Sequence, residues 1–298
     1  MNQKNLQLLL CTNGDPASYA ALEYGVWIAK ILRIPVILLG ILEGYQEEER
    51  LVKLINQTSA RLKEQGIPHL VQYESGRSSI VIPRLTASRD FITVVGPLGR
   101  PTWMRIFQGR SFRRILSRVE TPIFYVRETR TRLENILVCM GGLGYSTSVQ
   151  SLCLSLAKIT GAKVTLLHIV EPVSYRYPIS RDIVDHWDTI YETDTPQGRN
   201  LRQAKARFES AGLSVYLKIR HGSPVHEILE EILRGQYDLV GLGSPYSAYS
   251  LRHIFMPNVT AEVAEAITCP VVTVRFQHRP APWEIKWARN HDTQHDRK

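Results

Sequence analysis

The sequence predicts two α/β domains in tandem, each a mostly parallel five-stranded sheet flanked by helices. Three observations carry this prediction. The chain repeats itself, each copy alternates apolar runs with helical periodicity, and the apolar runs are continuous rather than alternating. At 298 residues, 44% of them apolar, each copy is long enough to bury its own core.

The repeat begins without a gap at an offset of 128, with Cys11 on Cys139, Gly14 on Gly142, Ser18 on Ser146 and Glu43 on Glu171. Farther along, Asp90 falls on Asp238, Thr121-Pro122-Ile123 on Cys269-Pro270-Val271 and Val126-Arg127 on Val274-Arg275, an offset of 148. The second copy therefore carries about twenty extra residues between Glu171 and Gly222. We place this insert at 172–200, where the Pro, Tyr and Asp content predicts a loop with a short helix. The expected domains are 1–130 and 131–276, with a basic tail at 277–298 expected to be disordered apart from one docking turn at Trp283 and Trp287.

In the first copy, the run 6–11 is a strand closed by Asn13-Gly14-Asp15-Pro16. A helix follows over 17–31, with Ala21, Tyr24, Ile28 and Ile31 on one face. Strands follow at 36–42, 70–73, 90–95 and 123–126, and the second copy gives 136–139, 164–170, 215–219, 239–242 and 271–274. Ligands of such sheets bind beyond the carboxyl ends of the strands, at the point where strand order reverses.

Composition narrows the function classes. The longest apolar run, 34–42, is too short to cross a bilayer, and the N-terminal stretch has no secretory pattern, so no membrane role is expected. Cys11, Cys139, Cys153 and Cys269 lack CxxC spacing, which argues against zinc and disulfides and for a reducing, cytoplasmic setting. The net charge is +9, from 37 basic and 28 acidic residues, and invites an anionic partner. Six arginines (Arg100, Arg105, Arg110, Arg113, Arg114, Arg118) lie in one acid-free segment; without them the balance is 31 to 28. Two readings stand for this run: a solvated helix face, or a phosphate clamp in which Arg110 takes part. No nucleic-acid module signature accompanies it.

The same segment holds the most informative motif. A strand ends in Gly96-Pro97-Leu98-Gly99, and Gly109-Arg110-Ser111 opens a helix over 112–119. Glycines let backbone N–H groups approach an anion, and a helix start adds donors and a favourable dipole. Here the sequence resembles the universal stress protein family, whose nucleotide-binding members carry Gly-x2-Gly-x9-Gly-Ser/Thr after the fourth strand. Gly96, Gly99 and Gly109 match; Arg110 stands where Ser/Thr is expected, and Ser111 follows. The closing segments 120–127 and 268–275, together with 166–172 and 222–244, are similar to family segments, and the resemblance spans 4–128 and 133–276.

The resemblance implies two Rossmann-like domains forming a homodimer or a pseudo-dimer within the chain, and a cytoplasmic stress-response role. It also implies that the first copy binds ATP or another adenine nucleotide, with magnesium, through Asn13, Ile41, Gly96, Gly99, Gly109, Arg110 and Ser111. The family's aspartate after the first strand is Asn13 here and Gly141 in the second copy. Tyr246 and Pro257-Asn258 break the second copy's motif, which reads as structural. The rival reading is an interaction protein that binds no nucleotide. No residue set points to efficient catalysis.

Other features carry less. Gly142-Leu143-Gly144-Tyr145-Ser146-Thr147 with Glu171 mimics a dinucleotide fingerprint but lacks the third glycine. His168, His221 and His226 read as structural. Trp103, Met104, Ile106 and Phe107, matched by Tyr249, Leu251, Ile254, Phe255 and Met256, read as core or as a dimer contact.

Overall fold

A computed structural model of the chain describes residues 6–44, 48–87, 91–98, 111–141, 146–171, 187–244 and 259–275. The chain parts into two compact units between Thr131 and Arg132.

The first unit begins with β1 (Gln7–Thr12), a 3-10 turn (Pro16–Ser18) and α1 (Tyr19–Leu32). It continues with β2 (Val36–Leu42), α2 (Glu48–Glu64), β3 (His69–Ser75) and α3 (Ser78–Thr86). It ends with β4 (Phe91–Val95), α4 (Ser111–Leu116) and β5 (Ile123–Tyr125). All its strand pairs are parallel and the order is β3-β2-β1-β4-β5.

The second unit runs β6 (Asn135–Met140), α5 (Thr147–Thr160), β7 (Lys163–Val170), a 3-10 turn (Trp187–Glu192) and α6 (Pro196–Glu209). Then come β8 (Val215–His221), α7 (Pro224–Arg234), β9 (Leu239–Ser244), α8 (Val259–Ala266) and β10 (Val271–Arg275). Its order, β8-β7-β6-β9-β10, is again all parallel and repeats that of the first unit.

The sequence patterns explain these elements. β1, β4 and β6 are buried on both faces, so their runs are continuously apolar. α2 buries Leu51, Ile55, Thr58 and Leu62, one stripe at helical spacing. α1 packs on β1 and β4. It comes so close that a Cβ on Gly25 would sit 2.3 Å from Leu10 Cδ1. The edge strands β3 and β8 are only half covered.

Strand register corrects two sequence expectations. Val36 of β2 pairs with His69 and Val164 of β7 with Val215, so the offset grows from 128 to 146 between those strands. Eighteen of the extra residues thus precede β8. They also precede α6, because Thr195 Oγ1 caps that helix at Gly198 N (3.1 Å) and Pro196 stands in its first turn. The expected insert at 172–200 therefore reached five residues too far. The second correction concerns Asp90 and Asp238. Leu8 pairs with Ile92 and Ile136 with Leu239, an offset of 147, so the strands match one residue away from the aspartate alignment. Asp238 is retained for another reason: its Oδ2 accepts the N–H groups of Glu134 (2.9 Å) and Asn135 (3.1 Å) at the start of β6.

Candidate functional site

β1 lies between β2 and β4, so the strand order reverses at its carboxyl end in the first unit. The chain leaves β1 through a tightly bonded turn. Thr12 Oγ1 and Ser18 Oγ are 2.7 Å apart, Gly14 N donates to Thr12 Oγ1 (3.1 Å), and Asp15 Oδ1 accepts from Ala17 N (2.8 Å). Gly14 has φ +82°, and a Cβ there would meet Leu51 Cβ at 3.0 Å. Glycine is therefore required both by conformation and by the first turns of α2 closing over the loop.

Asn13 is wholly buried in this turn. Its Nδ2 donates to Glu43 Oε2 (3.1 Å) and its Oδ1 accepts from Asp15 N (3.3 Å). A carboxylate only accepts, so the bond to Glu43 fixes which way the amide faces. Glu43 follows β2, and its Oε1 accepts both Ser78 N (2.6 Å) and Ser78 Oγ (2.7 Å) at the start of α3. One side chain thus ties the ends of β1 and β2 to α3. It also places negative charge at a helix N-terminus, where the dipole favours it. The sequence reading aligned Glu43 with Glu171 but missed this role. Gly76, at φ +126° two residues ahead of Ser78, marks the turn that aims the helix at Glu43.

Gly96 is held against the start of α1: a Cβ would lie 3.0 Å from Ser18 Cα and 3.1 Å from Ala21 Cβ. Close packing alone demands glycine there. Ile41 is a wholly buried residue of β2. Ser111 begins α4, which is pinned to β5 by Phe112 stacking on Tyr125 at 4.0 Å between ring centroids. Gly99, Gly109 and Arg110 lie outside the described residues, as do Trp103 to Phe107, the matching cluster at 249–256 and the tail. Of the six arginines, Arg118 has a structural task. Pro83 inside α3 has no N–H for the carbonyl of Ser79, and Arg118 donates to that oxygen at 3.1 Å.

The same end of the second unit is chemically different. Gly141 follows β6, and Pro224, without an N–H, stands two residues after Gly222, where the first unit has Ser78 after Gly76. His168, paired in register with Met140 where Gly40 pairs with Thr12, is buried and holds the Met140 carbonyl at 3.1 Å through Nδ1. Burial lowers its pKa, against the pull of that carbonyl. Of the expected dinucleotide fingerprint, Ser146 and Thr147 open α5, and positions 142–145 lie outside the described residues.

A charged cluster that the sequence reading did not single out lies in this unit. Glu231 of α7, 3% exposed, accepts from Lys218 Nζ (2.6 Å) and Tyr237 OH (2.6 Å), with Arg220 at 3.5 Å. Burial pushes its pKa up, but the bonds from Lys218 and Tyr237 and the charges of Lys218 and Arg220 outweigh that and hold it below the usual range. The Tyr237 hydroxyl is pushed up, by burial first and then by its bond to Glu231. The four cysteines are free and buried, and burial pushes the Cys153 thiol up to about 12. Among the described residues, no acid, histidine or cysteine cluster suits a metal, and no helix is long and apolar enough to cross a membrane.

The universal stress protein family model matches residues 132–275, the second unit. No curated protein matches the chain in sequence. Among solved structures, a universal stress protein from Archaeoglobus fulgidus aligns over 91% of this chain and 97% of its own. Its TM-score is 0.65 and its identity 15%. A functionally unknown protein from Pseudomonas aeruginosa aligns over 99% and 98%, with TM-score 0.65 and 14% identity. At such identities the likeness is one of fold. By that match the second unit belongs to the universal stress protein family, and the first unit repeats its strand order.

Proposed function

We propose that this is a stress-response regulatory protein whose first unit binds an adenine nucleotide, with magnesium, beyond the carboxyl ends of β1 and β4. The second unit serves as its structural companion. Binding, not turnover, is the proposed activity. The supporting observation is the bond from Asn13 Nδ2 to Glu43. It spends an amide hydrogen on a carboxylate and turns the carbonyl oxygen toward the β1–α1 loop. Asn13 then offers that loop an acceptor, the property an aspartate would have there. An aspartate itself would set two carboxylates against each other, so Glu43 gives a physical reason for asparagine at this position. The retained Gly96, and Gly99, Gly109 and the arginines beyond the described residues, add the chemistry of a phosphate site. Gly141 and Pro224 give the second unit nothing equivalent.

A second reading, an interaction protein without nucleotide, is favoured by the same side chain: Asn13 is wholly buried and both ends of its amide are already bonded. Thermal unfolding of the full chain with and without Mg-ATP decides between the two, alongside analysis of small molecules released on denaturation. The first reading expects a rise in melting temperature that Gly109→Trp abolishes. No shift and no co-purified nucleotide would leave the interaction protein.

A further inference from the structure

The matching outer strands β3 and β8 of the two units treat solvent differently. An open strand edge is a template for another chain, and proteins usually blunt it with lysine, arginine or proline. β8 follows that rule, carrying Lys218 and Arg220 beside an exposed Tyr216. β3, with the sequence HLVQYES, carries no lysine, arginine or proline, and among the described residues it has a strand neighbour only in β2. Leu70, Val71 and Tyr73 are 68%, 42% and 43% exposed. We propose that β3 is the interface between two copies of this chain, joined edge to edge as antiparallel strands about a two-fold axis through Gln72.

The backbone fixes that register. Pro68 O accepts from Val36 N and Leu42 O accepts from Gly76 N, so even-numbered β3 residues turn their backbone groups to β2. His69, Val71, Tyr73 and Ser75 turn theirs outward. Antiparallel strands exchange hydrogen bonds between directly opposed outward residues. With the axis at Gln72, Val71 of one copy faces Tyr73 of the other, and His69 faces Ser75, so every outward group finds a partner. Val71 against Tyr73 is a β-branched and aromatic pair of the kind that stabilises sheets. Glu74 faces Leu70, so no like charges oppose. An isologous contact of this type closes at two copies instead of growing into a fibre.

The interface is testable in the full chain by sedimentation and by crosslinking. The wild type is expected to sediment as a dimer. Val71→Pro removes an outward donor without touching the β2 ladder, and should give a monomer with unchanged circular dichroism. Gln72→Cys places two thiols face to face across the axis in a non-hydrogen-bonded pair, close enough for a disulfide. Mild oxidation should give a covalent dimer, while Leu70→Cys, displaced from the axis, should not. The native cysteines are all buried and do not compete. If Val71→Pro fails to fold, the cysteine pair still decides. A dimer that survives Val71→Pro, or that gives no Gln72→Cys disulfide, would overturn the proposal by placing the contact elsewhere. A monomeric wild type would overturn it too, and would leave the edge to a strand from another protein.

Discussion

In the first unit the edge strand supplies an acid and the next helix a base: Glu74 of β3 meets Arg84 of α3 at 2.6 Å. In the second unit the polarity is exchanged: Lys218 and Arg220 of β8 meet Glu231 and Glu227 of α7, with Arg220 Nε 2.7 Å from Glu227. The seam is the same, since Glu74 and Arg220 stand two residues before Gly76 and Gly222. The fold requires a tie between edge strand and helix, and either polarity serves. What differs is burial. Arg84 is mostly exposed, whereas Glu231 is sealed beneath Tyr237. Nine residues after the glycine, the first unit places Leu85 where the second has Glu231. A repeated fold has thus been completed once with an apolar position and a surface ion pair, and once with a buried charge network.

The largest expected effect follows from that contrast. Glu231→Ala strips a buried carboxylate from two cations and a tyrosine, and should cost about 3 kcal/mol in urea unfolding of the second unit. Arg84→Ala should cost under about 1 kcal/mol in the first, because its charge is already in water. The pH dependence has a definite sign. The folded-state pKa of Glu231 is depressed, so its contribution is full above the unfolded glutamate range. That contribution is lost as the pH falls through the folded value. Acid should therefore destabilise the wild-type second unit more than the Glu231→Ala variant. Equal costs for the two substitutions would break the comparison.

The second contrast is at the strand ends, where Glu43 joins Asn13 to Ser78 and the second unit has Gly141 and Pro224. Asn13→Asp replaces a donor with a second carboxylate beside Glu43 and should cost about 2 kcal/mol in thermal or urea unfolding. Adding Glu43→Gln restores one donor against one acceptor and should recover most of that loss. Additive losses in the double variant would mean that the two side chains do not act as the pair described.

These contrasts also show what a sequence can carry. The parallel sheets, the strand positions to within about two residues and the gap-free offset of 128 were legible because central parallel strands need continuous apolar runs; the order of the strands was not. Glu43 with Ser78, and Glu231 with Lys218, were not: partners 35 and 13 residues apart meet only once β2, β3 and their helices are in register. Asp90 and Asp238 misled because identity was taken for register, whereas Asp238 is tied to the β6 amides. The start of α6 was readable from Thr195-Pro196, a capping pair inside the segment expected to be a loop with a short helix. Gly96 shows a different limit. Its place in a phosphate-type motif and its contact with Ser18 both demand glycine, so the residue alone does not separate binding from packing.

The smallest contrast is a single backbone position. α1 ends at Arg33, with φ +52°, and α5 ends at its repeat partner Gly161, with φ +73°. A left-handed residue with a Cβ costs about 1–2 kcal/mol, against about 0.5–1 kcal/mol for the extra freedom glycine brings to the unfolded chain. Arg33→Gly should therefore stabilise the first unit by about 0.5 kcal/mol, and Gly161→Ala should destabilise the second by a similar amount. Both are read as opposite shifts in urea midpoint at unchanged slope. No atom lies within 4 Å of a Cβ placed on Gly161, so its loss reports conformation alone. A loss of stability in Arg33→Gly would show that the arginine side chain contributes more than its backbone strain costs, and that the two helix ends are held by different means.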